Sequence, residues 1–436
     1  MHTKSRAIFG WPSIAVSILV MFAPLCVTGQ TTPQAPPAAL ATHVTLEQAI
    51  ELALKHNHSL QAARTMISQN QAAEITANLR PNPVGLIDEQ YLPFFSPKAF
   101  THDYVDTNAV FDLGFSYLIE RGNKRHWRYQ AARDQTAVTT ATVTDDERAL
   151  TANVAQQFVS ALLAKANIDL AEQDLKSFQQ TVDISQASFT AGAMSEGDLI
   201  KIKLQLLQFQ MDLSAAKLAQ VQALATLRQL IGFEAVPESY EVDGDLTYEN
   251  LRLNLDDLKM VALRTRPDLR AAVLGVQASQ SQFSLAKANG KQDLGVTFTY
   301  NHLGGVNTGS LFFNMQIPIF DRNQGEIART RYAVTQSQEL SSEQASIALT
   351  DVVNAYESVR TSDEVVTLYQ SGYLKQAEES RDISQYAYQR GAASLLDFLD
   401  AERSYRSTEL AYRQALAGYM SSLEQLRQAV GTRSLQ

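Results

Sequence analysis

"FTAGAMSEGDLI", residues 189–200, places a Gly-Ala pair three residues after an aromatic residue, then a serine, and an aspartate three residues after the serine. The chain repeats this pattern as "YQRGAASLLDFL", residues 388–399. The matching residues are Phe189 and Tyr388, Gly192 and Gly391, Ser195 and Ser394, and Asp198 and Asp397. Glycine suits the left-handed residue that ends a helix, and serine with an acid three positions later is typical of the next helix start. Each copy therefore predicts two helices joined by a tight tip.

The segments before these tips have the composition of long helices. Between Gly122 and Gly192 the chain has neither glycine nor proline, which predicts a helix of roughly 65 residues and about 100 Å. Apolar residues recur there every seven positions, at Val154, Ala161, Ile168, Leu175, Val182 and Phe189. A weaker series follows in the second half, at Val352, Val359, Val366 and Tyr373. A seven-residue period indicates a coiled-coil seam.

The similarity between the two halves extends beyond the tips. "LEQAIELALKHNHSLQAA" at 46–63 aligns with "LDDLKMVALRTRPDLRAA" at 255–272. We therefore predict an internal two-fold repeat with a linker between its copies. The predicted segments are a first repeat at 45–232, a linker at 233–254, a second repeat at 255–432, and hairpin tips at 192–198 and 391–397.

Four segments alternate between apolar residues and small or polar ones, which predicts β-strands. They are residues 83–91, 110–119, 294–301 and 311–319. In "VFDLGFSYLI", for example, Phe111, Leu113 and Phe115 share one face, and Asp112 and Gly114 the other. This pattern suits a membrane β-barrel wall, although an antiparallel sheet on a soluble core would look the same.

The first thirty residues have the layout of a secretory signal peptide. Lys4 and Arg6 precede an apolar run and small residues follow it, which predicts a leader at 1–29, with a retained membrane anchor as the alternative. The only cysteine, Cys26, is either lost with this leader or modified by lipid. No later run of about 18 apolar residues predicts a membrane-spanning helix.

Several classes of function have little support in the sequence. A net charge of −9 argues against nucleic-acid binding. "GGVNTGS" at 304–310 lacks the lysine of a phosphate-binding loop, and no hydrolase or metalloprotease motif is present, so we expect no enzyme, no cofactor and no metal site. His56 and His58 diverge on a helix and make a poor metal pair.

If the four strands span a membrane, several chains must combine them. Four strands are too few to close a barrel, and an open edge cannot lie in lipid. Three copies would supply twelve strands, an even number like that of single-chain barrels, and would also bring three sets of long hairpins together.

The order of these segments resembles the TolC family of outer-membrane efflux proteins. The resemblance rests on "TLEQAIELALKHNHSLQAA" (45–63), "RPNP" (80–83), "ERGNKR" (120–125), "IPIFDRNQGEIA" (317–328) and the doubled tip. It implies a mainly α protein with some β structure: a homotrimer with four strands per protomer in a membrane β-barrel, on a long coiled-coil α-helical barrel. "ERGNKR" and "FDRNQG" are similar to the heavy-metal branch, with Asn123 as a departure from its usual glycine.

The resemblance also implies a function and partners. The expected protein is the outer-membrane exit duct of a tripartite efflux pump, with a periplasmic adaptor, an inner-membrane RND transporter and outer-membrane lipid as partners. It would be a passive channel for metal cations or drugs, with a long periplasmic extension. The alternatives are the outer-membrane component of a type I secretion system and, from another class, an exported coiled-coil scaffold without a pore.

The same resemblance assigns expected roles to residues at the tips. The residues that match the family's periplasmic entrance gate are Asp198, Tyr388, Asp397 and Asp400. The expected docking surface for the adaptor is made of Gly192, Ala193, Ser195, Gly391, Ala392 and Ser394. Where the family can carry a basic residue two positions after the glycine, this chain has Ala393, and Arg390 is the alternative source of that charge.

Overall fold

The fold is known from a computed structural model that describes residues 42–435. The predicted signal peptide at 1–29, with Cys26, lies outside the described residues. Helices make up most of this part of the chain. They are α1 (Leu46–His56), α2 (His58–Ala77), α3 (His102–Asn108), α4 (Lys124–Thr190), α5 (Glu196–Ile231), α6 (Leu255–Thr265), α7 (Pro267–Asn289), α8 (Gln324–Leu368), α9 (Leu374–Gln389) and α10 (Leu395–Val430). Within residues 42–435, no helix combines the length and apolar character that a membrane crossing requires.

Two groups of strands accompany the helices. The strands are β1 (His43–Val44), β2 (Val84–Gln90), β3 (Val110–Ile119), β4 (Glu241–Val242), β5 (Leu294–Leu303) and β6 (Val306–Met315). β1 and β4 form a short parallel pair, and the other four form one antiparallel sheet in the order β2-β3-β5-β6. In the described part of the chain, the outer edges of β2 and β6 pair with no further strand.

The register of this sheet gives it one apolar face. Phe298 pairs with Phe115 on one side and with Leu311 on the other, so the three side chains share a face. The side chains of this face include Ile87, Leu113, Phe115, Phe298, Leu311, Phe313 and Met315, and all of these are exposed. Glu89 pairs with Phe111 and therefore lies on the apolar face as a charged exception.

The opposite face of the sheet is made mainly of small and polar side chains. Thr297 donates a hydrogen bond to Ser116 over 3.0 Å, and Asn301 donates one to Asp112 over 2.6 Å. Phe312 is an exception, because its pairing with Thr297 places an exposed aromatic ring on this face.

The fourth strand was predicted wrongly, at 311–319 instead of Val306–Met315. Gly304 and Gly305 both have positive φ, 57° and 75°, so a two-residue turn follows β5 directly. Strand pairing then begins at Leu303 and Val306 and continues to Met315. Pro318 cannot donate to a strand ladder, so the alternation that continues to residue 319 is not a strand.

The predicted coiled-coil seam of the first long helix is buried along most of α4, which has 67 residues. Val154, Ala161, Ile168 and Val182 are at most 9% exposed, whereas Phe189 near the tip is 36% exposed. The burial follows the seven-residue period and confirms that this face of α4 packs against other helices.

The second seam is interrupted. Val352, Val359 and Val366 are buried, but Tyr373, which continues their spacing, is 57% exposed. A π-helical turn, Tyr369–Tyr373, separates α8 from α9, and Gly372 in it has a φ of 127°. The chain has one residue more between Val366 and Tyr388 than between Ile168 and Phe189. A π turn accommodates one such extra residue and rotates the helix face that follows it.

Two apolar cores lie at the base of the long helices. The first joins α1 to α4 and α5 and includes Val154, Phe158, Leu227 and Ile231. The second joins α6 to α8 and α10 and includes Val352 and Leu426. The predicted linker at 233–254 packs on both cores, since Tyr240 and Val242 belong to the first and Tyr248 contacts the second. This packing fixes the position from which both long hairpins extend.

Candidate functional site

The two hairpin tips have the same backbone geometry. At the first tip, Gly192 has a φ of 75°, its N–H donates to the Phe189 carbonyl over 2.9 Å, and the Ala193 N–H donates to the Ser188 carbonyl over 2.9 Å. At the second tip, Gly391 has a φ of 72°, with equivalent hydrogen bonds to the carbonyls of Tyr388 and Ala387. This pattern is a Schellman motif, and it satisfies carbonyls that the helix end would leave unpaired.

The helix starts after the two tips differ in their capping. The predicted N-caps are present, since Ser195 accepts from the Asp198 N–H and Ser394 from the Asp397 N–H. Asp397 also accepts from the Ser394 N–H over 3.2 Å, which completes a capping box. Asp198 accepts from the Ser195 hydroxyl over 2.9 Å, as Asp397 does from the Ser394 hydroxyl, and it also pairs with Lys201 at 3.2 Å. Both contacts lower the pKa of Asp198.

The tip residues that were predicted to bind a partner are accessible. Ala193 and Ala392 are exposed. A Cβ atom added at Gly192 or Gly391 would meet no other atom within 4 Å. Among residues 42–435, nothing packs over these small side chains, so another backbone can approach them closely.

A stack of aromatic rings holds the two hairpins together just behind the tips. Tyr388 on α9 stacks on Phe398 of α10 with ring centroids 5.4 Å apart, and Phe398 faces Phe178 of α4 at 6.4 Å. Phe178 in turn stacks on Phe209 of α5 at 4.7 Å. Phe178, Phe209 and Phe398 are at most 2% exposed. The four rings therefore connect all four helices that reach the tips.

Tyr388 and the three predicted gate acids are in different surroundings. The Tyr388 hydroxyl is buried and receives no hydrogen bond of normal geometry within the described residues, and burial raises its pKa. Asp397 is exposed but engaged in the capping box. Asp400 is exposed and, among residues 42–435, has neither a hydrogen-bond nor an ion-pair partner. Asp400 is thus the one of these acids that no side chain or backbone N–H of the described chain engages.

A charged cluster that the sequence analysis missed continues the aromatic stack. The Arg406 guanidinium lies 4.6 Å from the Phe209 ring centroid and pairs with Asp174 at 3.2 Å and Asp212 at 2.5 Å. Burial raises the pKa of Asp174 in spite of this ion pair. A groove of about 930 Å³ runs beside the cluster between α4, α5 and α10. The one indication of this cluster in the sequence is the acid Asp174, next to the seam residue Leu175. A charge on a buried helix face needs a partner of opposite charge.

Glu402 belongs to the same cluster. Burial raises the pKa of Glu402, the Asp174 and Asp382 carboxylates raise it further, and Arg381 and Arg406 act in the opposite direction. The raised pKa of Glu402 therefore comes first from burial, and the neighbouring carboxylates add to it.

We expect Glu402→Gln to stabilise the protein at neutral and alkaline pH. Because the folded pKa of Glu402 is raised, the folded chain binds a proton more readily than the unfolded chain, and wild-type stability falls as pH rises through the two pKa values. The glutamine side chain does not ionise, so the variant does not lose stability in this way as the pH rises. Thermal unfolding should show a higher midpoint for the variant at about pH 8 and convergence with wild type at about pH 4.

The control for this experiment is Glu339→Gln, at an exposed glutamate in the interior of α8. It should leave the midpoint unchanged at both pH values. A gain for Glu402→Gln that is the same at both pH values would contradict the raised pKa.

The two histidines that were considered as metal ligands lie at the junction of α1 and α2. His56 ends α1 and His58 begins α2, on either side of Asn57. Among the described residues, no group of three histidine, cysteine, aspartate or glutamate side chains is arranged to hold a metal ion.

Comparison with known proteins gives a family match over most of the chain. The model of the family described as "Outer membrane efflux protein" matches residues 95–233 and 260–432, which is more than half of the chain and includes both hairpins.

Individual relatives agree with this match. The cobalt-zinc-cadmium resistance protein CzcC of Cupriavidus metallidurans is 25% identical over 397 residues, covering 88% of this chain and 89% of that protein. The pyoverdine export outer membrane protein OpmQ of Pseudomonas putida is 25% identical over 403 residues, covering 87% and 84%. A crystal structure of CusC superposes with a TM-score of 0.73 at 18% identity, over 92% of this chain and 99% of that one. This last likeness concerns the fold alone.

Proposed function

Because the chain belongs to the outer membrane efflux protein family, we propose that it is the outer-membrane exit duct of a tripartite efflux pump. In this proposal three copies form a continuous channel that crosses the outer membrane and extends into the periplasm. The duct is passive. An inner-membrane RND transporter would supply the substrate to it, and a periplasmic adaptor would seal the junction between the two.

One observation carries the proposal: the four-stranded sheet has an exposed apolar face, and within the described residues its two outer edges are unpaired. An apolar face of this kind suits contact with lipid, but an open edge with unsatisfied N–H and C=O groups does not. Pairing β2 of one copy with β6 of the next removes both edges. Three copies then close a twelve-stranded barrel whose polar face lines the lumen.

The long helices continue this duct on the other side of the membrane. The strands β3 and β6 lead directly toward α4 and α8, so each copy places two hairpins below the sheet. The aromatic stack joins the two hairpins of one copy near their tips. Three copies would form a tube of twelve helical segments, about 100 Å long.

The tips are the proposed docking surface for the adaptor. The surface of each tip is made of small, accessible residues, which are Gly192, Ala193, Gly391 and Ala392. The tight turns therefore leave the backbone open to close contact. Ser195 and Ser394 cap the following helices and so hold this shape. A helical hairpin of the adaptor would pack against these tips.

The gate proposal places the acids of the tips around the channel entrance. Asp400 is the strongest candidate because it is exposed and forms no hydrogen bond or ion pair within the described residues. Asp397 and Asp198 are held by capping contacts, and Tyr388 is held in the aromatic stack. Three copies of Asp400 around a narrow mouth would favour cations.

We expect Asp400→Asn to lower the cation selectivity of the pore in planar bilayers by at least about twofold and to weaken block by trivalent cations. Trimer stability should stay close to that of wild type, because the side chain is exposed. The control is Asp257→Asn, at an exposed acid of α6 far along the chain from the tips, which should change neither property. Unaltered selectivity and block for Asp400→Asn would place this acid on the outside of the tube.

The similarity to CzcC favours metal cations as the cargo, and the similarity to OpmQ keeps organic compounds open. The proposal is tested in a strain that lacks its outer-membrane duct. Expression of this chain should yield heat-modifiable trimers in the outer-membrane fraction, and the purified protein should show single-channel conductance. When the chain is expressed together with its cognate pump, the metal content of the cells should fall. Stable protein that forms no pore would support a scaffold instead, and rescue of protein secretion without efflux would support a type I system.

A further inference from the structure

One end of the four-stranded sheet carries a concentration of positive charge. Because the strands are antiparallel, β2 starts, β3 ends, β5 starts and β6 ends on the same side, where the long helices begin. Residues 117–129, with Arg80 beside them, contain five cations and one acid in a chain of net charge −9. The segment 91–109 at the opposite end has two acids and one lysine.

Two of these cations form ion pairs within the fold. Lys124 pairs with Asp293 at 2.8 Å. Arg128 pairs with Glu120 at 2.7 Å and also donates to the carbonyls of Ala77 and Leu79, which ties the end of α2 to α4. These two cations stabilise the junction between helix and sheet.

Three arginines at this end, Arg80, Arg121 and Arg125, have side chains that form no ion pair within the described residues. Arg80 is exposed and Arg125 is half-buried, and neither forms an ion pair or a side-chain hydrogen bond within residues 42–435. The Arg121 side chain donates to the Met315 sulfur and forms no ion pair within the described residues. Guanidinium groups recognise phosphate with paired hydrogen bonds, so these arginines are suited to bind that group.

Arg80 and Arg125 line a cleft of about 540 Å³. Tyr129 and His126 form part of its wall on the helix side, and Tyr117 and Ile119 form part of it on the sheet side. Tyr117 and Ile119 pair with Val296 and Leu294, so they belong to the apolar face of the sheet. Glu120 and Lys124 also line the cleft, but both are engaged in ion pairs, with Arg128 and Asp293. The cleft therefore connects an apolar surface to two arginines that form no ion pair within the described residues.

We propose that this cleft binds the headgroup of an anionic glycerophospholipid, with its phosphate on Arg80 and Arg125 and its acyl chains on the apolar face of the sheet. The inference rests on the proposed function, which places that face in lipid. Tyrosine and tryptophan side chains are enriched at the level of the headgroups, and Tyr117, Trp127 and Tyr129 lie at this end of the sheet. Basic clusters beside a membrane surface attract anionic lipids.

The test measures lipid binding to the purified trimer by native mass spectrometry, with phosphatidylglycerol or phosphatidylethanolamine added at equal concentration. We expect wild type to retain phosphatidylglycerol preferentially. Arg80→Gln/Arg125→Gln should lower its apparent affinity for that lipid by about tenfold. Arg80→Lys/Arg125→Lys, which keeps the charge but not the planar geometry, should lie between the two.

The matched control is Arg252→Gln/Arg264→Gln, which removes two exposed arginines that also have no ion pair among the described residues. It should bind phosphatidylglycerol like wild type. Equal retention by wild type and Arg80→Gln/Arg125→Gln would overturn the inference, as would complete displacement of the lipid by inorganic phosphate.

The conductance of the same preparations separates the two proposals. Pores that form without any preference for phosphatidylglycerol would refute the lipid site and leave the duct intact. Wild-type protein that forms no pore would refute the duct itself.

Discussion

Phe298→Arg should prevent stable assembly in the outer membrane, whereas Thr299→Arg should be tolerated. Phe298 is exposed on the apolar face, between Phe115 and Leu311, near the middle of the ten-residue β5. Thr299 points to the opposite face, where it pairs with Gly114 and Ser310. An arginine that faces lipid near the bilayer midplane costs about 2–4 kcal/mol, and the same residue in a water-filled lumen avoids this cost.

Depth provides a second test within the same strand. Val296 lies on the apolar face but only two residues from the helix-side end of β5. Because the cost of a lipid-facing arginine falls to about 0–1 kcal/mol near the interface, Val296→Arg should be milder than Phe298→Arg. Phe298→Ala separates the loss of the ring from the added charge.

The measurements are the amount of heat-modifiable trimer in the outer-membrane fraction and the urea midpoint for refolding into lipid. A soluble sheet would show no dependence on depth. Equal tolerance of Phe298→Arg and Thr299→Arg would therefore remove the barrel from the proposed function.

Ala193→Trp/Ala392→Trp should abolish efflux and leave trimers intact. Both alanines are exposed beside glycines with open space around them, so indole rings fit without disturbing the fold. A partner that packs closely on these turns cannot accommodate the rings. Loss of well-packed contacts at the centre of an interface costs on the order of 2 kcal/mol or more, which lowers adaptor binding by at least about thirtyfold.

The readouts for the tips are efflux of the pump's substrate, site-specific cross-linking to the adaptor, and trimer yield. Ala193→Ser/Ala392→Ser keeps the side chains small and should behave like wild type. The two single tryptophan variants show whether both tips are needed. Adaptor cross-linking at the wild-type level in the double tryptophan variant would mean that docking takes place elsewhere on the protein.

The sequence alone determined those features whose cause is local. Gly192 and Gly391 end helices because their positions need a positive φ, and Ser195 and Ser394 start helices because their hydroxyls accept the first unpaired N–H groups. The long α4 follows from a stretch without helix breakers. Alternation likewise identified β3, whose predicted and observed bounds coincide at Val110–Ile119.

Alternation does not give the bounds of a strand where the pattern continues beyond the last residue that pairs with the neighbouring strand. The apolar alternation around residues 311–319 shows which side chains share a face but not where pairing starts. The two-glycine turn at Gly304 and Gly305 fixed that register and moved the strand toward the turn. A turn signal is local, so the Gly-Gly pair itself predicts that β6 starts directly after it.

Only the tertiary structure decided which side chains meet across the chain. Arg406 forms ion pairs with Asp174 and Asp212, and the Phe398 ring stacks on Phe178, although these partners are far apart in sequence. Periodicity tells which face of a helix is buried, but it does not tell which other helix lies against that face or at what height. That choice depends on the packing of all four helices at once, and the free energy of each contact exists only after the helices have come together.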